Sequence, residues 1–184
     1  MEQKFKIFVK SKNADLVALT SESVIKDLLE FAPLMSLRRF IYWEVGFHEP
    51  DYLLAQEKLA RILNQSFYLV NPNKEFFEID KVKRKELLLN QKLFVIKVYN
   101  KDTYLKNELI KKIKNKTGIE LTFLAKNVLW EFILENDKEL PETQLQEALI
   151  TDVLLTKSIE KGLIINPIFE AYEFVKKEVF YEFS

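Results

Sequence analysis

Two short stretches constrain this chain more than anything else in it. Phe40-Ile41-Tyr42-Trp43-Glu44-Val45-Gly46-Phe47 reads as a strand. Side chains on a strand alternate between faces, so Ile41, Trp43, Val45 and Phe47 share one side and Tyr42, Glu44 and Gly46 the other. Val128-Leu129-Trp130-Glu131-Phe132-Ile133-Leu134 repeats the pattern, with Val128, Trp130, Phe132 and Leu134 on one face. The chain holds only 2 tryptophans, and each is followed directly by glutamate. A chain written twice must fold as two copies of one unit, so an internal repeat is the first hypothesis to test.

The flanking segments repeat in the same order. Phe5–Val9 and Phe94–Tyr99 read as opening strands. A helix follows each, the first capped at Thr20 or Ser21 and stopped by Pro33, the second capped at Asp102 or Thr103 and ended by Gly118. After the Trp-Glu strands come two more helices. One follows the His48-Glu49-Pro50-Asp51 turn; the other runs from Pro141 to about Lys161, where Gly162 ends it. Ser66–Val70 is apolar enough for a strand, Lys74–Val82 is a strand or crossing, and Phe169–Phe183 is the last strand. Each half therefore reads strand–helix–strand–helix–strand. The division is residues 1–82, a connector at 83–91, and residues 92–184. The fold class is α+β: two tandem β-α-β-α-β repeats, antiparallel sheets with helices on one face, in a pseudo-twofold arrangement. Neither half buries much core alone, which predicts an internal pseudo-dimer.

Composition excludes much chemistry. The 28 basic and 28 acidic residues cancel, against the basic excess expected of a nucleic-acid binder. There is no cysteine, so disulfides and thiolate sites are impossible, and the 1 histidine excludes two-histidine motifs. Three glycines cannot build a glycine-rich phosphate loop. With no membrane-length apolar run and no signal-like start, the expectation is a cytoplasmic protein with no cofactor, no metal and no membrane partner.

Several residues invite a sharper reading. Trp43 and Trp130 are expected in the core rather than at a partner surface. Glu44 and Glu131 are expected to be solvated; the alternative is a carboxylate pair meeting across the pseudo-twofold axis. His48 beside Glu49 has the makings of a general base, against a plain turn histidine. The lysines of Lys106–Lys116 lie mostly opposite a Leu/Ile stripe and read as a solvated face. The Lys81–Lys85 cluster reads as a soluble linker.

The second half resembles the PurS subunit family of phosphoribosylformylglycinamidine synthase. Val95-Ile96-Lys97-Val98-Tyr99 stands where the family has a Lys-Val-x-Val-Tyr-Val-like strand, and Ala125-Lys126 through Glu131-Phe132 where it has Gly-Lys-x-x-Glu-Leu. The most specific match is Leu163-Ile164-Ile165-Asn166-Pro167-Ile168-Phe169-Glu170-Ala171-Tyr172, set against Leu-Leu-Ala-Asn-Pro-Val-Ile-Glu-Asp-Tyr. The first half keeps Tyr42-Trp43-Glu44 and Asn71-Pro72. The family's Leu-Asp-Pro-Gln-Gly turn has no counterpart in either half. The tandem is also similar to the N-terminal domain of the large single-chain synthase. The resemblance implies a non-catalytic assembly subunit or domain in purine biosynthesis. It would bridge glutaminase and ATP-dependent synthase subunits and support ammonia transfer, with no catalytic residue of its own. Its implied partner contacts are Asn71, Pro72, Asn166, Pro167 and Phe169. The competing expectation is a small-molecule-binding or regulatory module built from paired ferredoxin-like units.

Overall fold

A computed structural model describes residues 2–84, 87–101, 104–136, 140–157 and 162–183. The fold is α+β, an antiparallel sheet with four α-helices. The strands are β1 (Glu2–Ser11), β2 (Leu34–His48), β3 (Glu75–Ile79), β4 (Val82–Arg84), β5 (Gln91–Asn100), β6 (Phe123–Glu135), β7 (Glu170–Val175) and β8 (Tyr181–Phe183). The helices are α1 (Leu16–Asp27), α2 (Tyr52–Gln65), α3 (Tyr104–Thr117) and α4 (Glu142–Ala148). Six strands take the order β3-β1-β2-β6-β5-β7, and β4 pairs with β8 separately.

The chain divides into two compact units, and each draws on both halves of the sequence. The first comprises Met1–Asn13, Ile41–Val82 and Asp102–Asn127. Here β1 pairs antiparallel with β2 in the register Phe5↔Val45, Ile7↔Trp43 and Val9↔Ile41. These residues put one apolar face against Ala55, Leu59, Ile62 and Leu63 of α2 and Ile113 of α3. Each large apolar side chain buried in this way contributes about 1.5–3 kcal/mol relative to exposure. The carboxylate of Asp51 accepts the Leu53 and Leu54 N–H groups and so starts α2. Gly118, at φ 72°, ends α3 in the left-handed conformation the sequence requires there.

The second unit comprises Ala14–Phe40, Lys83–Lys101 and Val128–Ser184. Phe94, Ile96 and Val98 of β5 and Trp130, Phe132 and Leu134 of β6 face Ile25 of α1 and Leu145 of α4. The helix of the first half therefore packs on strands of the second, and in the other unit α3 packs on strands of the first. Both tryptophans are core residues, as expected.

Several local expectations are overturned. Helix α1 is capped by Asp15, not Thr20 or Ser21: its carboxylate accepts the Val17 and Ala18 N–H groups, and the helix ends at Asp27, before Pro33. Ser66–Val70 is not a strand; Leu69 and Val70 fill the first core from irregular backbone. The helix from Pro141 stops early. α4 widens into a π-helical segment, Leu149–Leu154, and the chain is extended at Leu155. Gly162 then turns at φ 79°, where a Cβ would stand 1.6 Å from the Leu155 carbonyl oxygen. The last strand is broken: β7 and β8 are separated by a short 3-10 turn, Lys177–Val179. The proposed caps Asp102 and Thr103, and the far end of the fourth helix at Ile159–Lys161, lie outside the described residues.

Candidate functional site

The residues singled out as partner contacts occupy two loops, and both loops are built the same way. In the first, Asn71 Oδ1 accepts the Asn73 N–H at 3.1 Å, and the Asn71 carbonyl accepts the N–H groups of Lys74 (3.0 Å) and Glu75 (2.8 Å). Glu75 closes the ring by accepting the Asn71 N–H at 2.7 Å. Lys12, at the end of β1, donates its ammonium to the Pro72 carbonyl at 2.6 Å.

The second loop repeats every bond. Asn166 Oδ1 accepts the Ile168 N–H at 3.1 Å, and its carbonyl accepts from Phe169 (3.1 Å) and Glu170 (2.8 Å). Glu170 accepts the Asn166 N–H at 2.9 Å. Lys101, at the end of β5, reaches the Pro167 carbonyl at 2.8 Å. An asparagine side chain closing on backbone two residues later is an Asx turn, and proline presets the backbone of the next position. The motif is Asn-Pro-x-x-Glu plus a distant lysine. The sequence reading found Asn71, Pro72, Asn166, Pro167 and Phe169 and missed Glu75, Glu170, Lys12 and Lys101. The glutamates were findable, since both stand at the same spacing after Asn-Pro.

Among the described residues, these loops hold no nucleophile beside a base and no converging carboxylates. Pro72 and Asn73 are exposed, and Ile168 and Phe169 are 74% and 61% exposed. The turns lead into β3 and β7, the two end strands of the sheet order.

The two Trp-Glu glutamates are not the solvated residues expected. Glu131 is 1% exposed. It is ion-paired to the buried Arg84 of β4 and accepts the Tyr181 hydroxyl of β8 at 2.7 Å. The arginine lies in the stretch read as a soluble linker, which instead forms β4 and carries that charge inward. Desolvation, then the Glu131 charge, pushes the Tyr181 phenol well above its ordinary value. Glu44 is half-buried and accepts from the Tyr42 hydroxyl (3.1 Å) and the Asn127 amide (3.4 Å). Both carboxylates thus take a tyrosine hydroxyl, and Glu131 adds the ion pair to Arg84.

His48 lies at the end of β2 on an open cleft of about 670 Å³, with Phe47, Lys58, Arg61, Gly118 and Thr122. It does not form a pair with Glu49. The Glu49 carboxylate bonds to Lys58 Nζ at 2.6 Å, which holds its pKa below the ordinary value, helped by the Asp51 N–H. Lys111, Lys112, Lys114 and Lys116 of α3 are surface groups: Lys114 pairs with Glu120, and Lys116 lies over the Phe67 and Tyr68 rings. Among the described residues no three His, Asp or Glu side chains converge as metal ligands, and no helix is long and apolar enough to cross a membrane.

The chain matches no protein-family model, and no curated protein or solved structure is significantly similar to it.

Proposed function

We propose that this chain is a non-catalytic assembly module, a fused tandem of two β-α-β-α-β repeats that presents the Asn-Pro loops to partner subunits. One observation carries the reading: the two loops share every hydrogen bond, down to the lysine from the preceding strand end. Such duplication is what a joined pair of identical subunits retains when both copies keep the same turn, even where its exposed residues have diverged to Asn73 and Lys74 in one and Ile168 and Phe169 in the other. The strand order supports it. Numbered within each repeat, β3-β1-β2-β6-β5-β7 runs third, first, second, second, first, third, the palindrome expected of a pseudo-twofold tandem.

Among assemblies, the resemblance to PurS points to phosphoribosylformylglycinamidine synthase. In that role the chain binds glutaminase and ATP-dependent synthase subunits and helps enclose ammonia on its way between them. Ammonia released into water is protonated and lost as a nucleophile. The bridge therefore needs a rigid, water-excluding contact and no acid–base group of its own. Clamped turns fit that requirement, and the second adds the exposed apolar Ile168 and Phe169. The test is reconstitution with both subunits from the same source, followed by light scattering and by an assay of glutamine-dependent amidine formation. A complex with restored glutamine-dependent activity supports the role; no complex and no effect on turnover refutes it.

A second reading, a small-molecule-binding or regulatory module, has the His48 cleft in its favour, where Arg61 and Lys58 border the apolar Phe47. It predicts a rise in thermal midpoint with a small polar ligand and no need for a protein partner.

A further inference from the structure

Strand β3 ends the sheet order, and Phe76 and Phe77 on it are 60% and 40% exposed. An edge of this kind is an open hydrogen-bonding template. Its phase can be read from its inner partner. Lys12 N–H donates to Lys74 O and Asp80 N–H to Lys6 O, in the same register that pairs Phe8 with Glu78. The even-numbered residues of β3 therefore bond inward to β1, and Glu75, Phe77 and Ile79 point their backbone groups outward. Two of those outward groups are already occupied. Glu75 N–H is bonded to Asn71 O, and Ile79 O accepts from Lys81 N–H. What remains is two donors, Phe77 N–H and Ile79 N–H, and two acceptors, Glu75 O and Phe77 O.

We infer that β3 pairs with β3 of a second copy of this chain, antiparallel and centred on Phe77. In that register Phe77 exchanges two bonds with Phe77 of the second copy, and each Ile79 N–H donates to the other copy's Glu75 O. All four open groups are matched on both strands. The two occupied groups fall opposite each other, so nothing is left unpaired. Side chains agree with the backbone. Lys74 falls opposite Asp80 and diagonal to Glu78, whereas Glu78 falls opposite Phe76, over whose ring Lys12 Nζ sits at 5.0 Å. No like charges are opposed. A shift of two residues one way sets Glu78 against Glu78; the other way sets the occupied Glu75 N–H against Phe77 O. The corresponding strand β7 carries Ala171 and Glu173 where β3 carries Phe76 and Glu78, so it lacks the exposed aromatic that favours pairing. This inference is independent of the purine assignment.

Sedimentation velocity and single-cysteine cross-linking test it. The wild-type chain should rise from 21.9 kDa toward twice that mass across a micromolar to millimolar series. Phe77→Pro deletes an outward N–H without touching the β1 ladder, so it should leave the circular dichroism spectrum intact and the chain monomeric. Lys74→Glu, an exposed change, should weaken the dimer several-fold even if the proline variant folds poorly. The native chain has no cysteine, so an introduced thiol is unique. A hydrogen-bonded pair sets Cα atoms about 5.5 Å apart, inside disulfide reach. Phe77→Cys should therefore cross-link under mild oxidation and Glu78→Cys should not. A wild type that stays monomeric to millimolar concentration, a dimer that survives Lys74→Glu unchanged, or equal cross-linking at both positions overturns the proposal.

Discussion

Replace Arg84 by methionine, Glu131 by leucine, and then both. Their side chains are 8% and 1% exposed, so each single change leaves one charge buried without its counter-ion. Breaking a buried pair from one side typically costs about 3–5 kcal/mol, because the desolvation of the remaining ion is no longer compensated. The triple variant, which adds Tyr181→Phe, removes both charges and the buried hydroxyl that Glu131 accepts, and fills the space with apolar atoms. It should lie within about 1 kcal/mol of wild type, or above it, as buried pairs exchanged for hydrophobic groups often do. Tyr181→Phe deletes one hydrogen bond to a charged acceptor and should cost about 1.5–3 kcal/mol. Urea unfolding followed by circular dichroism and tryptophan fluorescence reads these values, provided the two signals coincide. With a slope of about 2 kcal/mol per molar, a loss of 4 kcal/mol moves the midpoint by about 2 M. A midpoint shift below about 0.5 M in both single variants would refute the argument, since it would mean water reaches the pair.

Four further outcomes follow from the same structure. Gly162→Ala should destabilise severely, by more than about 3 kcal/mol, since backbone clash and positive φ act together; a midpoint within experimental error of wild type contradicts the turn. Asn71→Ala and Asn166→Ala should each cost about 1 kcal/mol and agree within about 0.5 kcal/mol, because they break the same Asx turn; a one-sided effect measured by thermal unfolding argues against equivalent loops. The raised phenol of Tyr181 loses its proton in the unfolded chain first, so stability should fall as pH rises past the ordinary value of 10.0. Tyr181→Phe should fall less steeply there, by up to about 1.4 kcal/mol per pH unit, and parallel curves would remove Tyr181 as the cause. Halves 1–82 and 92–184 made separately should be poorly structured alone and regain circular dichroism on mixing; two independently folded monomers would contradict the pseudo-dimer.

What the sequence makes legible here is periodic. Alternation located β1, β2, β5 and β6, and of the apolar stripe that the spacing gives α2 (Leu54, Ala55, the Lys58 stem, Leu59, Ile62 and Leu63) Ala55, Leu59, Ile62 and Leu63 are core while Leu54 is exposed. The Asn-Pro pair marked both loops because Asx turns are local. The rest depends on residues far apart in the chain. Arg84 reads as one cation in a basic run until Glu131 and Tyr181, from two other strands, enclose it. Lys12 and Lys101 carry no local signal at all; the turn each one reaches lies more than half a repeat away. The fourth helix failed for another reason. The apolar spacing of Leu145, Leu149 and Val153 fits an α-helix, and the wider turn from Leu149 leaves those side chains in the core while changing the backbone beneath them.

The interleaving of segments also has a consequence for synthesis. Strand β1 emerges first from the ribosome, yet the unit it belongs to is not complete until the segment ending at Asn127 has been made. At ordinary synthesis rates that delay is on the order of ten seconds. Once α2 is made, and until α3 follows, the apolar face of β1 and the Trp43 strand has only that one helix for cover. Helix α1, made meanwhile, waits for strands of the second half. The first unit cannot close before two of the second's three segments have been translated, the second cannot close before all of the first, and an arrest before Asn127 leaves both cores open.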